Sequence, residues 1–192
     1  MADIRLFFTT DLHGSERCFL KFLNASKVYK ASVLIVGGDI TGKMIIPVIE
    51  QPDGSFTVTY QGIERKLKSD KEVAEIEKII RDSGGYPYRT NPDEVTRLSQ
   101  DKEMLSDLFR RLMRERVSEW IRIAEERLKN DKVQCFIMPG NDDDFYIDEA
   151  FNESQLVVNP ESKVLEIMGG YQMISSGFCN KTPWNCPRDV DE

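Results

Sequence analysis

The stretch Ile4-Arg5-Leu6-Phe7-Phe8-Thr9-Thr10-Asp11-Leu12-His13-Gly14-Ser15 opens as an apolar, β-branched strand and breaks off in a polar turn that contains glycine. Residues 15–29 then place Phe19, Phe22 and Leu23 on one helical face. A second apolar run, Ser32-Val33-Leu34-Ile35-Val36, ends at Gly37-Gly38-Asp39. Continuous apolar strands on either side of a helix imply a βαβ unit whose sheet is covered on both faces. A third such run, Val133-Gln134-Cys135-Phe136-Ile137-Met138, ends in Pro139-Gly140-Asn141-Asp142-Asp143-Asp144. The fold class is α/β.

Between the second and third strands lies a segment longer than a crossover requires. Residues 45–67 alternate around Pro52-Asp53-Gly54-Ser55 and are expected to form a β-hairpin. A short charged helix is expected over 69–83, closed by Gly84-Gly85. The stretch from Tyr86 to Pro92 is expected to be a loop. It leads into one long amphipathic helix over roughly 92–130, with Asn91 as N-cap and Pro92 at the first helical position. Residues 43–131 are thus expected to be an insertion or elaborated crossover, a hairpin plus a long helix. It would cover one face of the sheet, roof the site or make an oligomer contact. Near the end, residues 163–168 and 171–176 flank Gly169-Gly170 as a second hairpin, and the tail from Gly177 is expected to be loop.

Composition limits the chemistry. The chain has 192 residues, enough for one domain or one domain with a large insertion. With 40% hydrophobic and 31% charged residues, a packed core is feasible and wholesale disorder is excluded. Lys plus Arg number 26 against 33 Asp plus Glu, a net charge of −7, which argues against nucleic acid or an acidic membrane as partner. No signal peptide or membrane-length apolar run is legible, so a soluble cytoplasmic protein is expected. The four cysteines, Cys18, Cys135, Cys179 and Cys186, form no CxxC pair, and nothing demands a bridge. There is one histidine, His13. A three-His zinc site, an HExxH protease or a zinc finger is therefore excluded.

Three strands in an α/β order each end in a turn with hard or borderline metal ligands: Asp11 and His13, then Asp39, then Asn141 with Asp142 and Asp143. Singly, each has a plain structural explanation; Asp11, for one, suits an N-cap. Jointly, they converge if the strands are parallel neighbours, because open α/β sheets bind ligands at the carboxyl ends of their strands. In Asp-x-His, both side chains leave an extended segment on the same side and can grip one ion. The donor set suits Mn²⁺, Fe²⁺, Zn²⁺ or Mg²⁺.

Asp11-Leu12-His13, Gly38-Asp39 and Gly140-Asn141-Asp142-Asp143 resemble the first three blocks of the calcineurin-like metallophosphoesterase superfamily: DxH, GD and GN, in that order and each after a strand. The resemblance implies a sandwich of β-sheets flanked by helices. It also implies a two-metal site that hydrolyses phosphomonoesters or phosphodiesters, with a phosphorylated small molecule or nucleotide as substrate. Asp11 and His13 would bind the first ion, Asp39 would bridge both and Asn141 would bind the second. Asn141, Asp142 and Asp143 are the catalytic-loop candidates. A pair of divalent ions offsets the acidic surface and clamps phosphoryl oxygens.

In many members a histidine follows the motif asparagine; here that position is Asp142. A carboxyl group beside cations is held ionised, which suits it poorly to proton donation, and Asp143 is expected to position Asn141 or its loop. No histidine follows His13, so the family's later histidine blocks have no counterpart. The chain is expected to be a single, C-terminally truncated or shortened domain carrying the first half of the site, with weak or no activity alone. The alternative is a non-catalytic interaction module on the same fold. Phosphoaspartate chemistry of the haloacid-dehalogenase type ranks last, because His13 stands where that motif needs a second acid.

Overall fold

The computed structural model describes residues 4–191. β1 (Leu6–Thr9), β2 (Val33–Val36), β7 (Gln134–Ile137) and β8 (Val157–Val158) form a four-stranded sheet in the order β1-β2-β7-β8. All three pairings are parallel. The register sets Phe8 beside Ile35 and Ile35 beside Phe136, so equivalent strand ends lie level. β2 is buried along its whole length, as its unbroken apolar run requires.

The two faces of this sheet are covered differently. Leu34, Val36, Cys135 and Ile137 face α1 (Glu16–Val28) and α4 (Lys102–Leu128), where Phe19 stacks on Trp120 with ring centroids 4.3 Å apart. Ser15 caps α1, its Oγ accepting from Cys18 N. Val33, Ile35 and Phe136 point the other way, onto the antiparallel hairpin of β9 (Val164–Ile167) and β10 (Tyr171–Ile174). That hairpin lies where the sequence predicts it.

The segment after β2 adds a second sheet with a small core of its own, while α4 packs on the first sheet. β3 (Ile45–Glu50), β4 (Phe56–Tyr60), β5 (Ile63–Leu67) and β6 (Tyr86–Thr90) make a second four-stranded sheet in the order β5-β4-β3-β6. Val48, Val58 and Leu67 pack against Val73, Ile76 and Ile80 of α2 (Asp70–Asp82). The expected hairpin over 45–67 is in fact a three-stranded meander: Gln61-Gly62, both at positive φ, form a second tight turn. The segment expected to be a loop is β6, which pairs in parallel with β3. Its Pro87 is tolerated because β6 is an edge strand.

The single long helix expected over 92–130 is two. α3 (Pro92–Gln100) stops at Asp101, whose extended backbone (φ −114°, ψ 100°) and carboxylate restart the chain as the cap of α4. Asp101 Oδ1 accepts from Glu103 N at 3.0 Å and Met104 N at 2.9 Å. A short acid that bonds its own local backbone competes with helix continuation. After β7 come a 3₁₀ helix (Phe145–Glu153) and the hairpin; the tail adds β11 (Cys179–Asn180) parallel to β12 (Asp189–Val190). No helix among the described residues is long and apolar enough to cross a membrane.

Candidate functional site

The turns after β1, β2 and β7 meet at the carboxyl end of the parallel sheet. The first two run side by side as an extension of the ladder: Asp11 N donates to Gly38 O at 3.0 Å, His13 N to Asp39 O at 2.9 Å and Gly14 N to Ile40 O at 2.8 Å. The third is stitched to the second through Asp143, whose carboxylate accepts from Ile40 N at 2.9 Å, Thr41 N at 2.9 Å and Gly140 N at 2.7 Å. Asp142 N donates to Asp39 Oδ1 at 3.2 Å.

Two glycines let these turns touch. Gly38 has φ 119°, and a Cβ there would lie 2.7 Å from Gly140 Cα. A Cβ on Gly140 would collide with Asp39 N and Oδ1. The glycines of Gly38-Asp39 and Gly140-Asn141 are therefore demanded by close approach as well as by turning.

One ligand atom from each of Asp11, His13 and Asp39 lies within 4.8 Å of the others. Asp11 Oδ1 and His13 Nε2 are 3.7 Å apart and both side chains face solvent, while Leu12 between them is buried. The side chains converge from a backbone other than the expected extended one. Asp11 (φ 56°), His13 (φ 42°) and Asp39 (φ 50°) are all left-handed. Asp, Asn and His enter that region more readily than other non-glycine residues, and such conformations concentrate at functional sites. Burial holds the Asp39 carboxyl above its ordinary value; the Asp142 N–H opposes this, and the charges of Asp143, Asp11 and Asp142 add to it. A cation at this point would relieve the crowding of negative charge.

The remaining sequence-predicted residues take other roles. Asn141 is engaged with the tail, its side-chain Nδ2 donating to Asp189 Oδ1 at 3.2 Å. Asp142 pairs with Lys43 at 3.0 Å. Asp143 is fully buried and its carboxylate is spent on hydrogen bonds to Ile40, Thr41 and Gly140, which leaves it turned away from the catalytic place given to it in the sequence. Among the described residues, Asp11, His13 and Asp39 are the one group of three such ligands at this spacing.

Comparison with protein-family models, curated proteins and solved structures finds no match. The site is thus read from its own geometry.

That geometry includes a tail that sequence reasoning missed. Arg188, buried, donates from Nε to Asp143 O at 3.0 Å and from Nη2 to Asp148 Oδ1 at 2.5 Å, with Phe145 under its guanidinium. Asp189 accepts from Thr182 Oγ1 at 2.5 Å, from Thr182 N and Cys186 N, and from Asn141; these bonds, led by that of the Thr182 hydroxyl, hold its carboxyl far below the carboxylate range. Cys179 and Cys186 flank the same carboxylates, Cys179 Sγ 3.4 Å from Asp189 Oδ1 and Cys186 Sγ 3.5 Å from Asp142 Oδ1. Nothing periodic in residues 179–190 announces this return to the third strand turn.

Proposed function

We propose that the chain is a metal-dependent phosphoesterase, related in site design to the calcineurin-like metallophosphoesterases and acting on a phosphorylated small molecule or nucleotide. The observation that carries this reading is the meeting of Asp11, His13 and Asp39 ligand atoms within 4.8 Å at the ends of adjacent parallel strands. Two carboxylates and an imidazole fit a hard or borderline divalent ion such as Mn²⁺, Fe²⁺, Zn²⁺ or Mg²⁺. Asp11, His13 and Asp39 would hold one ion, and Asp39 with Asn141 would face a second. The ions would supply charge neutralisation at phosphoryl oxygens and activation of water.

The protein's own groups prepare that chemistry. The Asp142 N–H and the three hydrogen-bonded turns fix the Asp39 carboxylate before any ligand arrives. Lys43, anchored on Asp142, brings a positive charge to the rim of an acidic site, as binding of an anionic ester requires. Asp143 and Arg188 hold the Asn141 loop from beneath. The central parallel sheet, with helices on one face and a hairpin on the other, is compatible with the layered sandwich that the resemblance implies.

A second reading, a non-catalytic module with one weakly held ion, is favoured by the single three-ligand group. Calorimetric titration with Mn²⁺, paired with hydrolysis of bis(4-nitrophenyl) phosphate, decides between them. Tight Mn²⁺ binding and turnover, both abolished in Asp39→Asn, support the phosphoesterase. Turnover that survives in Asp39→Asn would overturn the assignment, and Mn²⁺ binding without turnover would favour the module.

A further inference from the structure

Next to the acidic cluster lies a cleft of about 540 Å³ between the start of β3 and the exposed face of α4. Met44, Ile45, Leu105 and Phe109 line it together with the polar Ser106, Lys43 and Lys102. Met44 and Leu105 are 58% and 42% exposed, so the walls leave apolar surface open to water. The cleft adjoins the site through bonded atoms: Asp39 Oδ1 holds Asp142 N, and the Asp142 carboxylate holds Lys43 Nζ.

We propose that this cleft receives an aromatic leaving group of the phosphate ester, an inference that rests on the phosphoesterase reading and specifies its substrate. The volume falls within the range of small-molecule sites, roughly 300–1,000 Å³. Beyond Ser106 and the two lysines the lining is apolar and offers the hydroxyls of a sugar or polyol few partners, which favours a flat ring over those leaving groups. Phe109, held edge-on by Tyr86 at 5.7 Å between centroids, presents a fixed aromatic wall. The two lysines supply positive charge at the mouth, on a chain whose net charge is −7. An ester entering ring first would leave its phosphate near Lys43, on the side of Asp39.

The test titrates 1-naphthyl phosphate and methyl phosphate into the protein treated with diamagnetic Mg²⁺, following amide shifts of residues 43–46 and 102–109, with Mn²⁺ affinity measured separately by calorimetry. The naphthyl ester should bind about tenfold or more tightly than the methyl ester, a difference that one buried ring readily supplies. Leu105→Glu and Met44→Gln, both at exposed positions, should each erase that preference while leaving Mn²⁺ affinity unchanged. Equal affinity for the two esters, or a preference that survives both substitutions, overturns the proposal. So does a dimer in sedimentation that Leu105→Glu dissolves without changing ester binding, since a second copy would then fill the cleft. Ring preference without any Mn²⁺ binding would overturn the leaving-group assignment through failure of the phosphoesterase reading, which calorimetry reports on its own.

Discussion

Asp143 holds Thr41 across 102 residues of chain: its Oδ1 accepts the Thr41 hydroxyl at 2.5 Å and the Thr41 N–H at 2.9 Å. The same carboxylate takes Ile40 N and Gly140 N on its other oxygen. One buried side chain thereby locks the second strand turn to the third. Asp143→Ala would strand three backbone donors in the interior, at about 1–3 kcal/mol each. The expected loss is at least about 3 kcal/mol of unfolding free energy in urea. Asp143→Asn, which keeps one acceptor oxygen, should lose less; a variant as stable as the parent would show that these bonds do not hold the turns.

Metal affinity tests the cluster itself. Asp39→Asn and His13→Asn keep a residue type that tolerates the left-handed backbone of these positions, so the fold should be retained. Each should weaken Mn²⁺ binding by at least about 100-fold, because even groups supporting a ligand are worth about 10–100-fold. Asp53→Asn, in the turn between β3 and β4, should bind Mn²⁺ as the parent does. Equal affinities in all three variants would remove the cluster from consideration.

Arg188 ties the tail to the site. It is 2% exposed and bonds both Asp143 O and Asp148 Oδ1. Arg188→Met keeps much of the volume and removes the donors, at an expected cost of about 2–4 kcal/mol. Amide exchange should accelerate over residues 144–153, where the guanidinium anchors the 3₁₀ helix. Exchange unchanged there would show that the tail only rests on this surface.

Acid should loosen α3. Hydrogen bonds from the Thr90 hydroxyl at 2.7 Å and then the Tyr88 hydroxyl at 3.0 Å hold the Glu94 carboxyl below its ordinary value of 4.5. A carboxyl lowered in the folded state stabilises fully above its unfolded value, and that stabilisation is lost as pH falls through the folded value. The stability difference between the parent and Glu94→Gln should therefore be constant above about pH 5 and shrink below about pH 4. A difference independent of pH in urea titrations would place the origin elsewhere.

Local signals accounted for much of the fold. The apolar runs of β1, β2 and β7, the charged helix before Gly84-Gly85 and the hairpin around Gly169-Gly170 all lie where periodicity and turn chemistry place them, while the cap of α1 is Ser15 and not Asp11. The misplaced elements share a cause. β6 is a strand only because β3, some 40 residues earlier, offers it a parallel edge, as in the pairing of Ile45 with Tyr86. The interruption at Asp101 hides within a continuous amphipathic pattern, because a single capping carboxylate leaves helical spacing on both sides intact.

The candidate site divides in the same way. Sequence alone determined which residue types end each strand, since an apolar run that stops at Asp-x-His, Gly-Asp or Gly-Asn is a local feature. Only the tertiary structure decided that these turns touch, that Asp143 is buried while Asp11 and His13 face solvent, and that Arg188 and Asp189 return to the third turn. Those relations join residues tens of positions apart through hydrogen bonds and close glycine contacts. They exist only once the parallel register β1-β2-β7 has brought the three strand ends level.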